Sequence, residues 1–333
     1  MSAHSVEKLE ACARVVSIPL VTPFRGLTSR EAVIFDAPSG PAEWSPFVEY
    51  DDAEASTWLS AAIEAGWDST PTTHHLPPSI RVNATIPAVS ASEVAALLAE
   101  AGTPHTVKVK VAGPGSTLAG DRDRVGAVRD VLGPAGRIRL DANGGWGVDE
   151  AEHAIREMEH FDIDYVEQPV ASLEDMAEIR TRIHRLGIQV AADESIRRWS
   201  DLSAVIEAGA CDVVVLKVQP LGGLAPTRKL IAQAQAAGLA VVISSALETS
   251  VGLYQGALLQ AELETADPFS LDAGLGTARF LSRDVVHHPL IAHGGLLALT
   301  PPELNYQALD ALSASPERRE WWMRRLRRCM SVR

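Results

Sequence analysis

The stretch HTVKVKVAG, His105 to Gly113, sets two ammonium groups among valines. In a strand, alternate side chains share a face, so Lys108 and Lys110 point one way and Val107, Val109 and Val111 the other. Further along, Arg139, Asp141 and Asn143 share a face of RIRLDAN, Glu167 ends IDYVEQP, Asp193 and Glu194 end IQVAADE, and Lys217 ends DVVVLK. If Asp141, Glu167 and Asp193 all point inward, three carboxylates meet, which is unfavourable unless a cation neutralises them. Oxygen-only ligands favour Mg²⁺ or Mn²⁺ over zinc. Lys110 and Lys217 come from runs that flank the three carboxylate runs and would face each other across such an ion. A divalent ion and a second cation lower the pKa of a lysine, which makes it a usable base near neutral pH. Each residue alone has a plainer reading: a strand-end aspartate as a helix N-cap, a KVK as a protected sheet edge. The whole order, lysine-x-lysine, aspartate, glutamate, aspartate, lysine on consecutive runs, is hard to obtain from structural needs.

The elements that must hold these residues follow a rhythm. From about residue 80 the β-rich runs SIRVNATIPA, TVKVKVA, RIRLDAN, IDYVEQP, IQVAADE, DVVVLKV, LAVVISS and the weaker FSLDAG recur roughly 25 to 30 residues apart, the length of a βα unit. The intervals look helical; SASEVAALLAEAG opens with Ser90 and Glu93 in capping-box register and closes on glycine. Eight runs with helical connections predict an α/β chain forming a (β/α)7β TIM-like barrel, whose working site lies at the C-terminal strand ends. The rival is a doubly wound open sheet.

Residues 1–78 read as an N-terminal α+β capping unit, 79–280 as the barrel, and 281–333 as a C-terminal segment that packs back on the cap. Within the cap, TPFRGLTS (Thr22 to Ser29), with Arg25 beside a glycine, reads as a mobile loop over the barrel mouth, or as a plain hairpin connection.

The chain has 333 residues, is 46% hydrophobic and carries a formal net charge of -13, a poor balance for nonspecific nucleic-acid binding. Its N-terminus has charges where a signal peptide needs an apolar core, and no apolar run approaches the roughly 18 residues of a membrane span. Three scattered cysteines, Cys12, Cys211 and Cys329, point to a reducing compartment. The expectation is a cytoplasmic protein with a small-molecule substrate and neither a nucleic-acid nor a membrane partner. The sequence does not specify its oligomeric state.

The motifs KVK, DANGGW, VEQP, ADES and LKVQPLGG resemble the enolase superfamily in its muconate-lactonizing-enzyme-like subgroup. Within it, SSALETSVGL and GLGTARFL resemble the o-succinylbenzoate synthases in an actinobacterial form, and the resemblance covers nearly the whole chain. It implies the barrel with its cap, Mg²⁺ on Asp141, Glu167 and Asp193, Lys110 as acid and base with Lys108 supporting it, and Lys217 as the opposing cation. By position Asn143, Ser245, Gly274 and Arg25 would lie near a carboxylate substrate. The implied reaction is a syn-dehydration through an enediolate in menaquinone biosynthesis. The alternative on the same scaffold is an N-succinylamino acid racemase, in which both Lys110 and Lys217 exchange protons. Asp272-Ala273-Gly274 lacks the DxD of dipeptide epimerases, and GPAEWSPF departs from the WGE order of the family.

Other candidates weigh less. His74-His75 and His287-His288 are adjacent pairs rather than helical i, i+4 pairs and read as surface loop residues. Gly222-Gly223 reads as a tight turn in preference to a phosphate cradle. Ser244-Ser245 has no histidine and acid to make it a nucleophile. The tail ERREWWMRRLRRCM reads as a closing helix packed through Trp321 and Trp322 in preference to a membrane or acidic-partner contact.

Overall fold

In the computed structural model, which describes residues 5–24, 26–68 and 76–333, a short helix α1 (Val6–Cys12) leads into an antiparallel sheet of β1 (Ala13–Phe24), β2 (Leu27–Ala37) and β3 (Gly40–Trp44), in that order. The run AVIF on β2 is apolar on both sides because both faces of this sheet are covered. Val33 and Phe35 pack with Trp44, Trp58 and Trp322, while Ala32 and Ile34 pack with Val16, Ile18, Leu281 and Val285. Helix α2 (Asp52–Ile63) starts where the Asp51 side chain accepts from the Glu54 amide at 2.7 Å, and it runs into a π-helical turn over Glu64–Asp68. Within Thr22 to Ser29 the chain is strand up to Phe24 and strand again from Leu27, and Phe24 pairs with Leu27. Arg25 and the His74-His75 pair lie outside the described residues.

The second unit begins with β4 (Ser79–Arg81) and β5 (Ala84–Ile86), into which SIRVNATIPA divides, and continues with α3 (Ala91–Glu100) and its Ser90–Glu93 capping box. Then follow β6 (Thr106–Lys110), α4 (Leu118–Leu132), β7 (Arg137–Asp141), α5 (Val148–Met158), β8 (Ile163–Glu167), α6 (Leu173–Ile183), β9 (Gln189–Ala192), α7 (Asp201–Ala208), β10 (Val213–Lys217), α8 (Leu224–Ala236), β11 (Ala240–Ser244) and α9 (Ser250–Ala266). Strands β5 to β11 form one parallel sheet in chain order. FSLDAG contributes no regular strand; Ala273 bridges to Val82 and Gly274 to Ser244, and these two contacts span the gap between the sheet's ends. The curled sheet rules out the open doubly wound alternative, which needs a reversal of strand order.

The remainder includes β12 (Leu296–Ala298), antiparallel to β4, then α10 (Tyr306–Ala311) and α11 (Pro316–Val332). The tail is the closing helix expected: Trp322, Leu326 and Cys329 are buried among cap residues, and Arg325 donates to the Phe47 carbonyl at 3.2 Å. The Gly222-Gly223 turn is filled from the cap. The Glu64 carboxylate accepts from the Leu224 amide and, at 2.9 Å, from the Ala225 amide. A side chain, not a phosphate, occupies that helix N-terminus.

Candidate active site

Parallel pairing sets the strand ends level. Lys108 is opposite Arg139, Lys110 opposite Asp141, and Asp141 opposite Glu167. Because side chains alternate, this register turns Lys108, Lys110, Asp141 and Glu167 inward at one level or the next, while Val107, Val109 and Leu140 pack outward in the core beneath the helices. Lys110 Nζ donates to Asp141 Oδ2 at 2.6 Å and to Asn143 Oδ1 at 2.8 Å. Lys108 Nζ lies 2.8 Å from Glu167 Oε1 and 3.0 Å from Asp141 Oδ2. Lys217 Nζ, from β10, pairs with Asp193 Oδ1. One cavity at the C-terminal strand ends is lined by Lys108, Lys110, Asp141, Asn143, Asp193 and Lys217.

The electrostatics follow from burial. Asp141 and Glu167 are fully buried and Asp193 is 6% exposed. Burial alone would raise the Asp141 carboxyl, but Lys108 and Lys110 outweigh it and hold it well below the usual carboxylate range. Asp193 is likewise lowered, with Lys217 and Lys108 overcoming its burial. Glu167 goes the other way, pushed to about 8 by burial and then by the Asp141 charge. Lys108, although buried, is held well above its ordinary value by Asp141 and Glu167.

The residues predicted from sequence mostly converge. Asn143 bridges Lys110 to Glu194, its Nδ2 donating to Oε1 at 2.9 Å. Ser245 lies on the cavity wall with its hydroxyl 2.7 Å from that of Thr277, a hydroxyl pair rather than a nucleophile with its base. Gly274 lines the same wall; a Cβ there would stand 2.7 Å from Ser244 Oγ and 3.2 Å from Ser244 Cβ, so a side chain at this position would crowd Ser244. His287 and His288 are exposed and away from the cavity lining.

The contacts of several positions were not anticipated. Gln168, with φ 40, folds its amide under β9, where Oε1 accepts from the Asp193 and Ser195 amides, each at 3.1 Å. It fixes the backbone that carries Asp193. The glutamine of VEQP was the available signal. Below the carboxylates, the fully buried Arg139 stacks 4.9 Å over the Tyr165 ring and donates to Asn83 Oδ1 at 3.0 Å. Positive φ at Ala112, Asn143, Gln168 and Leu247 falls at this same end of the strands, where strained backbone accompanies function.

Whether these side chains suit a divalent cation turns on donor chemistry. Three buried carboxylates from adjacent strands offer only oxygen, which matches magnesium or manganese. Among the described residues, no three acidic, histidine or cysteine side chains gather around one ion-sized point; the positive charge on Asp141, Glu167 and Asp193 here is that of Lys108, Lys110 and Lys217. The set therefore fits in kind, and its oxygens would have to draw together around an ion.

Comparison with known proteins gives a consistent result. Residues 15–66 match the "Enolase N-terminal domain-like" family and residues 90–303 the "Enolase C-terminal domain-like" family. The chain is similar to the o-succinylbenzoate synthase of Thermobifida fusca, 45% identical over 91% of this chain and 92% of that one. It is also similar to the o-succinylbenzoate synthase of Mycobacterium leprae, 41% identical over 96% and 91%. Among solved structures, the muconate lactonizing enzyme from Pseudomonas fluorescens complexed with muconolactone aligns with TM-score 0.73 at 20% identity, covering 91% of this chain and 98% of that one. The dipeptide epimerase from Enterococcus faecalis aligns with TM-score 0.71 at 22% identity, covering 87% and 96%. At such identities these structures speak for the capped barrel alone.

Proposed function

The chain belongs to the enolase superfamily and, within it, to the o-succinylbenzoate synthases, and from that premise we propose how its own residues carry the reaction. The proposed step converts 2-succinyl-6-hydroxy-2,4-cyclohexadiene-1-carboxylate to 2-succinylbenzoate and water in menaquinone biosynthesis. The observation that carries it is that Lys110 and Lys217, from strands on either side of three buried carboxylates, line one cavity. Magnesium, or manganese in its place, held by Asp141, Glu167 and Asp193, would supply positive charge against the charge that grows on the substrate carboxylate.

Lys110 takes the proton next to that carboxylate, and the C–H electron pair enters the enediolate. When the pair returns to close the aromatic ring, the C–O bond breaks and Lys110 gives its proton to the departing hydroxyl on the same face, releasing water. Lys217 stays an ammonium and stabilises the anion. Asn143, bonded to Lys110, sets the aim of its amine. Ser245 and Gly274 form the wall against which the ring lies. In this reading residues 79–280 are the catalytic unit, 1–78 cap it, and 281–333 pack back on the cap. The free cysteines Cys12, Cys211 and Cys329 suit a cytoplasmic setting. Among the described residues, no helix is long and apolar enough to cross a membrane.

The test is formation of 2-succinylbenzoate by the purified full chain with Mg²⁺, beside deuterium exchange into N-succinyl amino acid enantiomers. Lys217→Arg keeps the charge but not the ability to accept a proton; it should retain measurable dehydration and lose any racemisation. Asp141→Asn, Glu167→Gln and Asp193→Asn should each weaken Mg²⁺ binding in titration calorimetry. Fast racemisation with negligible dehydration in the unaltered protein would make it a racemase instead. Unchanged Mg²⁺ affinity in all three carboxylate variants would remove the metal assignment.

A further inference from the structure

The loop between β11 and α9, Ser245 to Thr249, supplies Ser245, Ala246 and Leu247 to the wall of the active-site cavity. Its backbone is not at rest by its own preference. Leu247 has φ 63, a left-handed conformation that costs a leucine energy and persists only when surroundings impose it.

The restraint comes from the cap, more than 200 residues earlier in the chain. The Arg30 guanidinium, 3% exposed, donates through Nε to the Leu247 carbonyl at 3.1 Å and through Nη2 to the Ala246 carbonyl at 3.3 Å. The same nitrogen donates to the Ser45 carbonyl, and the group lies 4.3 Å over the Phe47 ring, so it has little room to move. One strand away, Glu43 holds the far end of the loop. Its Oε2 accepts from Thr249 Oγ1 at 2.5 Å, the Thr249 amide at 3.1 Å and the Gly252 amide at 3.0 Å, while Oε1 accepts from Ser45 Oγ at 2.7 Å. Neither Arg30 nor Glu43 lines the cavity.

We infer that Arg30 and Glu43 are positioning residues: the capping sheet, through them, imposes on the Ser245–Thr249 loop the shape that completes the substrate-binding wall. The cap is thus built into the site from behind as well as above it. The loop holds none of the lysines or carboxylates assigned to proton transfer, so loosening it acts on substrate binding and spares the chemical step. This link to turnover rests on the proposed synthase function; the mechanical link between cap and loop does not.

The experiment compares Arg30→Met, Glu43→Gln and Ser45→Ala in the full chain with Mg²⁺. In the first two, KM for the cyclohexadiene carboxylate should rise at least about tenfold with kcat within about threefold. The amides of Thr249 and Gly252 should exchange with deuterated water at least about tenfold faster. Ser45→Ala removes a bond to Glu43 that does not touch the loop and should leave KM within about twofold. Glu43→Gln, isosteric, carries the test if Arg30→Met does not fold. Unchanged exchange at those amides in Glu43→Gln overturns the proposal. So does a fall in kcat at constant KM, or an equal rise in KM for Ser45→Ala. If the unaltered protein does not turn over this substrate, the functional reading fails while the exchange rates still decide the cap-to-loop restraint.

Discussion

Lys108 and Lys110 lie two residues apart on one strand face and both reach Asp141 Oδ2, but from different depths. Lys110 donates to Asp141 Oδ2 and to Asn143 Oδ1 at the cavity wall. Lys108 sits deeper, between Asp141 and Glu167, where it serves both. The sequence reading cast Lys108 as a neighbouring cation for Lys110; its contacts add a structural task, neutralising the carboxylates. Loss of a buried cation leaves buried charge uncompensated, with a typical cost of about 3–5 kcal/mol. Lys110 still neutralises part of Asp141, so the lower end of that range applies to Lys108→Met. Urea unfolding without metal should show that drop for Lys108→Met. Lys110→Ala also takes a cation from Asp141 but leaves it Lys108, so it should lose less stability than Lys108→Met while losing both dehydration and exchange of the substrate's α-proton. Equal stability of the two variants would mean that Lys108 does not carry this load, and full dehydration by Lys110→Ala would move the base elsewhere.

At the scale of elements, strand ends do the positioning, and a turn shows how tightly. Gly223 opens α8 with φ 123, and a Cβ there would run into Glu64 Oε2, in the carboxylate that accepts from the first amides of that helix. Gly223→Ala should therefore cost roughly 2 kcal/mol or more, from backbone strain together with the displaced carboxylate. Glu64→Ala alone should cost about 1 kcal/mol, as for a lost cap. The double variant should be less unstable than the sum, because Glu64 is part of what the new methyl meets. Chemical unfolding of the three variants tests this, and strict additivity would show that the clash is not with Glu64. Strand-end chemistry of this kind was legible beforehand. Period-two alternation turned Lys108, Lys110 and Asp141 to one face without knowledge of any contact. Gln168 was less legible because its work is done by an amide folded under the next strand. Glu43 and Glu64 were not legible, because their partners Thr249 and Leu224 lie 206 and 160 residues away. The eighth run was legible only as a place, since Ala273 and Gly274 make bridges without a regular strand.

For the whole molecule, the seam between cap and barrel is polar where most of each unit's core is apolar, and this has a consequence for stability. Glu43 and Glu248, both buried, face each other's charge across that seam, with the Arg30 guanidinium nearby. Burial, and then the Glu43 charge, push the Glu248 carboxyl up to about 7, and burial raises Glu43 as well. A carboxyl raised above its ordinary value binds its proton more tightly in the folded chain than in the unfolded one. Its contribution is therefore fully present below about pH 4.5 and is lost as pH rises through about 7. At 1.36 kcal/mol per pKa unit, the loss amounts to at most about 3 kcal/mol by pH 9. Glu248→Gln keeps an oxygen to accept from the Ala246 amide, which donates to Glu248 Oε2 at 2.6 Å, and carries no proton to lose. The variant should match the unaltered protein in stability near pH 5 and exceed it increasingly from pH 6 to 9, by about 2–3 kcal/mol at the upper end. Because Asp141 and Asp193 have lowered values and contribute in the opposite sense at acid pH, the comparison is made as a difference between the two proteins at each pH, in which those groups cancel. Urea midpoints at unit pH intervals give that difference. A flat difference from pH 5 to 9 would mean that Glu248 titrates alike folded and unfolded, and that the seam tolerates its charge.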